Sequence, residues 1–261
     1  MKSGDMMARI DISVGIVTYN NEDVIATVLK SILQYTKLRT FEIYVFDNNS
    51  HDNTLDIISK NYPSVNIIKN AVNEGFGYGH NRIIDRIDSK YYLVVNPDIE
   101  IQSDVLSNIA DFMDKNDDIG LVSPKVLFNN GKLQVLAKKN PKFKYLIARR
   151  VNLKIFNKIR REFEMVDNDL NSVADIEFAT GCFMFLRTEV LKLVGGFDQR
   201  YFLYFEDADL TRMINLHKRA VYNPDFVVLH EWQRATAKSF KYFMIQVVSM
   251  FKYFLKWRKY K

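Results

Sequence analysis

Three acids fall within four residues in Tyr204-Phe205-Glu206-Asp207-Ala208-Asp209, directly after an aromatic run. A carboxylate placed there can act as a general base and take the proton from an attacking hydroxyl. Helix N-termini also favour acids, so capping accounts for the same residues. Asn96-Pro97-Asp98 follows the apolar run Tyr91–Val95. A carboxylate at a strand's carboxyl end can hold Mg2+ or Mn2+ beside a diphosphate, where the metal offsets charge building on the leaving group. Asn-Pro equally starts an Asx turn, and one carboxylate is a thin cation site. His230, in Leu229-His230-Glu231, could ligate the same ion or be structural. Asp47 ends a second apolar run, Phe41–Phe46. An acid there needs a donor; the N3–H of a uracil or thymine ring and the turn that follows both offer one.

Asn73-Glu74-Gly75-Phe76-Gly77-Tyr78-Gly79 looks like a dinucleotide fingerprint but follows the third predicted strand instead of the first, which argues against a nicotinamide enzyme. Glycines before a helix can bring backbone N–H groups to a phosphate, or can simply make a tight turn.

The elements that must position these residues alternate. Strands are expected at Ile12–Thr18, Phe41–Phe46, Val65–Ile68, Tyr91–Val95 and Ile119–Val122. Helices are expected over Val24–Tyr35, from a cap at Asp52 to Asn61, after Gly79 to about Ile87, and from a cap at Ser103 to Met113. That order is the signature of an α/β domain with a mainly parallel sheet. Such sheets bind ligands at the carboxyl ends of their strands, so the clusters Thr18–Asn21, Asp47–Ser50 and Asn96–Asp98 should converge on one cleft. Beyond residue 125 the pattern is less regular: a hairpin around Asn129-Asn130-Gly131, a strand Cys182–Leu186, a short helix Thr188–Val194, a helix from Glu206 to about Leu216, and a last strand Phe226–His230.

The 261 residues carry 37 Lys+Arg against 31 Asp+Glu, a net charge of +6, with 48% hydrophobic residues. Composition excludes global disorder and repeat architectures. A lone cysteine, Cys182, excludes an intramolecular disulfide framework and fits a reducing, cytoplasmic setting. Residues 1–11 show no signal-peptide core, and no apolar run approaches the ~20 residues of a membrane span.

In combination these clusters resemble the inverting family 2 glycosyltransferases of GT-A fold, and most closely the rhamnosyltransferase-like enzymes of bacterial surface-polysaccharide assembly. The residues that carry the likeness are Val17-Thr18-Tyr19-Asn20, Asp47-Asn48-Asn49-Ser50 with Asp52, Asn73-Glu74-Gly75-Phe76-Gly77 with Asn81, Asn96-Pro97-Asp98, Gly181-Cys182, Gly195-Gly196-Phe197-Asp198, Phe205 to Leu210, and His230, in the family's order. The resemblance implies a Rossmann-like, mixed and mainly parallel sheet flanked by helices. It places Thr18, Tyr19 and Asn20 at the nucleotide and Asp47 at the pyrimidine. Asn73, Gly75 and Asn81 would lie along ribose and diphosphate, with Asn96 also on the donor side. Asp98 would hold Mg2+ or Mn2+ with His230, Asp207 would be the base supported by Glu206, and Gly181, Cys182 and Asp209 would face the acceptor. Many relatives have Asp-x-Asp where this chain has Asn96-Pro97-Asp98, which bears on metal dependence. The implied donor is a dTDP- or UDP-sugar, with L-rhamnose from dTDP favoured, and the acceptor a glycan or lipid-linked saccharide.

Two segments are strongly basic. Lys138–Arg161 has ten Lys/Arg and no acid; Arg234–Lys261 has eight, with eight aromatics. On a helical wheel Phe240–Trp257 gathers its aromatics on one broad arc beside a lysine stripe, as interfacial membrane helices do. A helix packed on the core would show the same sequence. The expected organisation is a domain over 1–233, with a basic insertion at 138–161, and a C-terminal amphipathic helix over 234–261, peripheral at the inner face of an anionic membrane. No nucleic-acid motif accompanies the charge. A non-catalytic sugar-nucleotide or glycan-binding relative is the alternative, against which Glu206-Asp207 speaks.

Overall fold

The computed structural model describes residues 10–136, 138–150, 153–165, 171–231 and 240–260. The expectations for residues 1–9 and for the start of the C-terminal segment, 232–239, lie outside the described residues. In chain order the elements are β1 (Ile12–Thr18), α1 (Ile25–Tyr35), β2 (Phe41–Asp47), α2 (Thr54–Asn61), β3 (Asn66–Lys69), α3 (Phe76–Ile84), β4 (Tyr91–Val95) and β5 (Ile99–Ile101). They continue with α4 (Val105–Asp114), β6 (Ile119–Leu127), β7 (Leu133–Gln134), α5 (Phe143–Arg150), α6 (Asn157–Phe163), β8 (Ala174–Asp175), β9 (Phe183–Arg187), α7 (Thr188–Leu193), α8 (Glu206–Ile214), β10 (Arg219–His230) and α9 (Phe240–Trp257).

Among the described residues the strands form one sheet in the order β3-β2-β1-β4-β9-β6-β10-β5, with β7 beside β6 and β8 beside β10. The half from β3 to β4 is parallel. β9 runs antiparallel between β4 and β6, while β6 and β10 are parallel again. The sheet is therefore mixed. Every residue of β1 is buried, because helices cover both faces. Ile12, Val14 and Ile16 enter one apolar cluster, and Val17 joins Phe46, Tyr92 and Val94 in the other, as the two-residue period of a strand requires.

Three local expectations change. Asp104, not Ser103, caps α4: its side chain accepts from the Ser107 N–H. α3 begins at Phe76, so Gly77 and Gly79 are helical. They are glycines because of packing, since a Cβ on Gly79 would lie 2.8 Å from Phe46 and Val17 side chains. The basic segment is helical where it was unassigned: α5 and α6 lie within it.

Candidate active site

The carboxyl ends of β1 and β4 open onto a cleft of about 740 Å³. Thr18 and Tyr19 line it after β1, Asn73 and Gly75 before α3, and Asn96 and Asp98 after β4. Six of the expected residues thus share one space. Asn48, unassigned by itself in the sequence, holds the wall together. Its backbone N–H donates to Thr18 O, its side-chain amide donates to Gly75 O at 3.1 Å, and its carbonyl accepts from Glu74 N–H at 3.2 Å. Gly75 has φ +96°, and a Cβ there would lie 2.1 Å from Phe202 O; only glycine fits.

On one side of the cleft Asp98 Oδ1 lies 3.3 Å from His230 Nε2. Both atoms are buried and neither has a hydrogen-bond partner. Gln134 explains why. Its amide nitrogen donates to His230 O at 2.9 Å, which turns its Oε1 towards His230 Nδ1, also 2.9 Å away. Nδ1 therefore carries a proton, and in the neutral ring Nε2 is the lone-pair nitrogen that faces the carboxylate. Two facing lone pairs repel unless a positive charge lies between them. One carboxylate oxygen and one neutral imidazole form a donor set that fits a divalent cation. Among the described residues no third His, Cys, Asp or Glu completes the set.

The Glu206–Asp207 pair stands at the start of α8, shortly after Phe202 and Leu203 of the cleft wall. Asp207 accepts from Gly181 N–H at 3.0 Å through Oδ2 and from Ala208 N–H at 2.8 Å through Oδ1. Burial lifts its pKa above the ordinary value, opposed by those amides and by the Lys138 ammonium. Glu206 is 5% exposed and its Oε2 is unpartnered. Burial and the neighbouring Asp207 push its carboxyl well above the usual range. Both carboxyls shift upward, and Asp207 has the Gly181 and Ala208 amides and the Lys138 ammonium to support its charged form. Gly181 separates Asp207 from the cleft wall, since a Cβ there would lie 3.3 Å from the Phe76 ring and 3.4 Å from Asp207 Cβ. The two halves are close enough for the Cys182 thiol to feel both Asp98 and Asp207, although burial is the main cause that pushes it to about 12.

The family model described as Glycosyl transferase family 2 matches residues 13–194. The chain belongs to that family. Over 242 residues it is 24% identical to the N-acetylglucosaminyl-diphospho-decaprenol L-rhamnosyltransferase of Mycobacterium tuberculosis (strain ATCC 25618 / H37Rv), covering 85% of this chain and 76% of the relative. Over 226 residues it is 27% identical to Rhamnosyltransferase WbbL of Escherichia coli (strain K12), covering 82% and 81% respectively. Among solved structures, mannosyltransferase PcManGT from Pyrobaculum calidifontis, in complex with GDP-Man and Mn2+, superposes with a TM-score of 0.62 at 17% identity; the match covers 88% of this chain and 59% of that one. S. aureus TarS gives 0.61 at 22% identity, covering 85% and 60%. These likenesses show the GT-A fold, and the chain spans less than two thirds of either neighbour.

In this glycosyltransferase nine expected site residues are not on the cleft wall: Gly181, Glu206, Asp207 and His230 are placed as described above, and the other five turn to other partners. Asp47 is 1% exposed, and its carboxylate accepts from both the N–H and the hydroxyl of Ser50. It serves the turn. Asn20 (φ +54°) faces the next loop, accepting from His51 N–H and donating its own N–H to Ser50 Oγ. Asn81 clasps Phe197 instead of a ribose, bonding its backbone N–H at 2.9 Å and its carbonyl at 2.8 Å. The Cys182 side chain is in the core, and only its backbone reaches the site, accepting from Asn96 N–H. Asp209 is 1% exposed and faces α9, bonded to Lys256 at 2.6 Å and to Trp257 Nε1 at 2.8 Å. It does not face an acceptor.

α9 is part of the site. Lys241, Tyr242 and Ile245 line the cleft. Further along, Ser249 donates to Leu203 O, Lys252 to Arg200 O, and Lys256 to Asp198 and Asp209. These bonds grip the loop that leads into Glu206-Asp207, where Tyr204 and Phe205 both hold φ +70°. Such left-handed pairs are strained and persist only where the surroundings impose them. Sequence reasoning missed Lys138, Gln134 and the α9 contacts. Nothing local marks them, because each acts across more than 40 residues of chain.

Proposed function

We propose that this enzyme is an inverting transferase that moves a sugar from a nucleoside-diphosphate donor to a hydroxyl of a glycan or lipid-linked saccharide in bacterial surface-polysaccharide synthesis. The observation that carries this is a cation-ready pair, Asp98 and His230, at a cleft beyond the strand ends, with the buried Asp207 carboxylate bonded to Gly181 N–H beside the cleft residue Phe76. Thr18, Tyr19, Asn73, Gly75 and Asn96 would take the donor. Asp98 and His230 would hold Mg2+ or Mn2+, which supplies stabilisation of the diphosphate charge. Each Asp207 oxygen keeps a second lone pair beyond its amide bond. One of them takes the acceptor proton as the acceptor oxygen bonds to the anomeric carbon. The bond to the diphosphate breaks on the opposite face, so the configuration inverts.

L-rhamnose as the sugar is supported by the names of the two rhamnosyltransferase relatives, with dTDP the favoured carrier and UDP the alternative in this proposal. The first acts by name on a decaprenyl diphosphate, which supports a lipid-carried acceptor at the inner face of the membrane. A thermal-shift panel of UDP, dTDP and GDP with and without Mn2+ tests the donor side, because a ligand of the folded state must raise Tm. UDP or dTDP should exceed GDP, and Mn2+ should add to the shift. No shift from any of the three, or inert donor sugars in the presence of acceptor, would overturn the proposal.

A further inference from the structure

α9 has two apolar faces. At about 100° per residue, Ser249, Tyr253 and Trp257 point inward, and all three are buried. The opposite side carries Phe240, Met244, Val248, Phe251 and Leu255, between 43% and 77% exposed. The single arc read from the sequence is therefore split, with Trp257 on the inner face. A helix with a merely solvated outer side would carry polar groups there. The apolar surface continues onto the neighbouring segment. Phe143 stacks on Phe254 with ring centroids 4.0 Å apart, and Phe143, Ile147, Leu153 and Ile155 are themselves exposed. Nine of the eighteen exposed large hydrophobics among the described residues lie in these two stretches. Scattered exposed apolar residues are ordinary; a contiguous set marks an interaction surface.

Charge selects the occupant. Residues 138–161 carry ten Lys/Arg and no acid, and α9 carries Lys241, Lys252 and Lys256 and no acid. A second copy would bring the same positive charge to the same place. An anionic bilayer brings the opposite charge together with an apolar interior, which is what cationic interfacial helices use. We propose that the joint face of α5, Leu153, Ile155 and α9 docks on an anionic lipid surface. The stripe enters the headgroup boundary while the lysines and arginines of residues 138–161 meet anionic headgroups; Lys256 stays paired with Asp198 and Asp209. The glycosyl-transfer proposal supplies only the use of such docking, a lipid-carried acceptor; the surface itself rests on exposure and charge.

The test is co-sedimentation of the full chain with phosphatidylcholine vesicles and with mixed phosphatidylcholine–phosphatidylglycerol vesicles. The protein should sediment with the mixed vesicles and be released near 1 M salt, where the Debye length falls to about 3 Å. The outward variant Phe251→Ser/Leu255→Ser should lose about tenfold in vesicle affinity while donor hydrolysis in solution persists. Equal sedimentation with both vesicle types would overturn the proposal. So would undiminished binding by the variant, or a concentration-dependent dimer of the wild type that the variant abolishes. Vesicle binding without donor turnover would instead count against the glycosyl-transfer proposal alone.

Independently, the structure assigns Gln134 as a positioning residue for His230. Its two bonds to His230 fix which ring nitrogen is bare, and partners of this kind typically govern metal affinity by 10–100-fold. Mn2+ binding, read by electron paramagnetic resonance of the free ion, should weaken by about that range in Gln134→Leu. Gln134→Glu keeps an acceptor for Nδ1–H but loses the donor to His230 O, so it should lose less affinity than Gln134→Leu. Unchanged affinity in Gln134→Leu, or equal loss in both variants, would overturn the assignment. A wild type that binds no Mn2+ would overturn it together with the cation pair.

Discussion

Glu206 is a buried carboxyl whose Oε2 finds no partner, so its neutral form is the one that fits. Its raised pKa means the folded chain binds a proton there that the unfolded chain releases above about pH 4.5. Stability from that proton is full below the unfolded pKa and is lost as pH rises towards the folded one. Glu206→Gln should therefore raise Tm at pH 7, and the gain should vanish in melts near pH 4. Asp207 has the opposite task. Asp207→Asn keeps the shape but cannot take a proton, so turnover should fall by at least about 10²-fold with donor affinity retained. Because burial raises the Asp207 pKa, the acid limb of the rate profile should lie above the ordinary aspartate range. Lys138 opposes that rise. Lys138→Met should move the limb to higher pH, and an unmoved limb would free Lys138 from this role.

At the scale of elements, α9 is more than an attachment. If it were only an anchor, donor hydrolysis would survive its removal. Since it lines the cleft and grips Arg200 and Leu203 carbonyls, ending the chain before residue 240 should abolish hydrolysis and lower Tm. Trp257→Ala should cost about 3–5 kcal/mol, as large buried aromatics do, measurable by denaturant titration. The sequence made the parallel half legible because each strand there is a short β-branched run beside a helix of the right period. Strand order among β9, β6 and β10 was not legible, because antiparallel insertion is decided by distant contacts. The polar clusters at strand ends were readable for the same topological reason. Their individual roles were not: Asp47, Asn81 and Asp209 are ordinary acids and amides until their partners Ser50, Phe197 and Lys256 are known.

At the scale of the molecule, one cleft unites the ends of parallel strands and a C-terminal helix. β9 stands between β4 and β6, bonded to both, yet it is made of residues 183–187, long after either neighbour. A chain emerging from the ribosome therefore completes β1 to β4 with one flank of β4 bare, and then β6 with its own flank bare. Exposed strand edges template pairing with other chains, and domains grow from the N-terminus during synthesis. The gap between β4 and β6 is filled only when residue 187 has emerged, some 90 residues after β4 ends, and β10 then covers the far flank of β6. Nascent chains halted near residue 150 should aggregate or recruit chaperones, and chains halted near residue 230 should do so far less. The position of one five-residue strand thus sets the interval during which this protein is most vulnerable while it is being made.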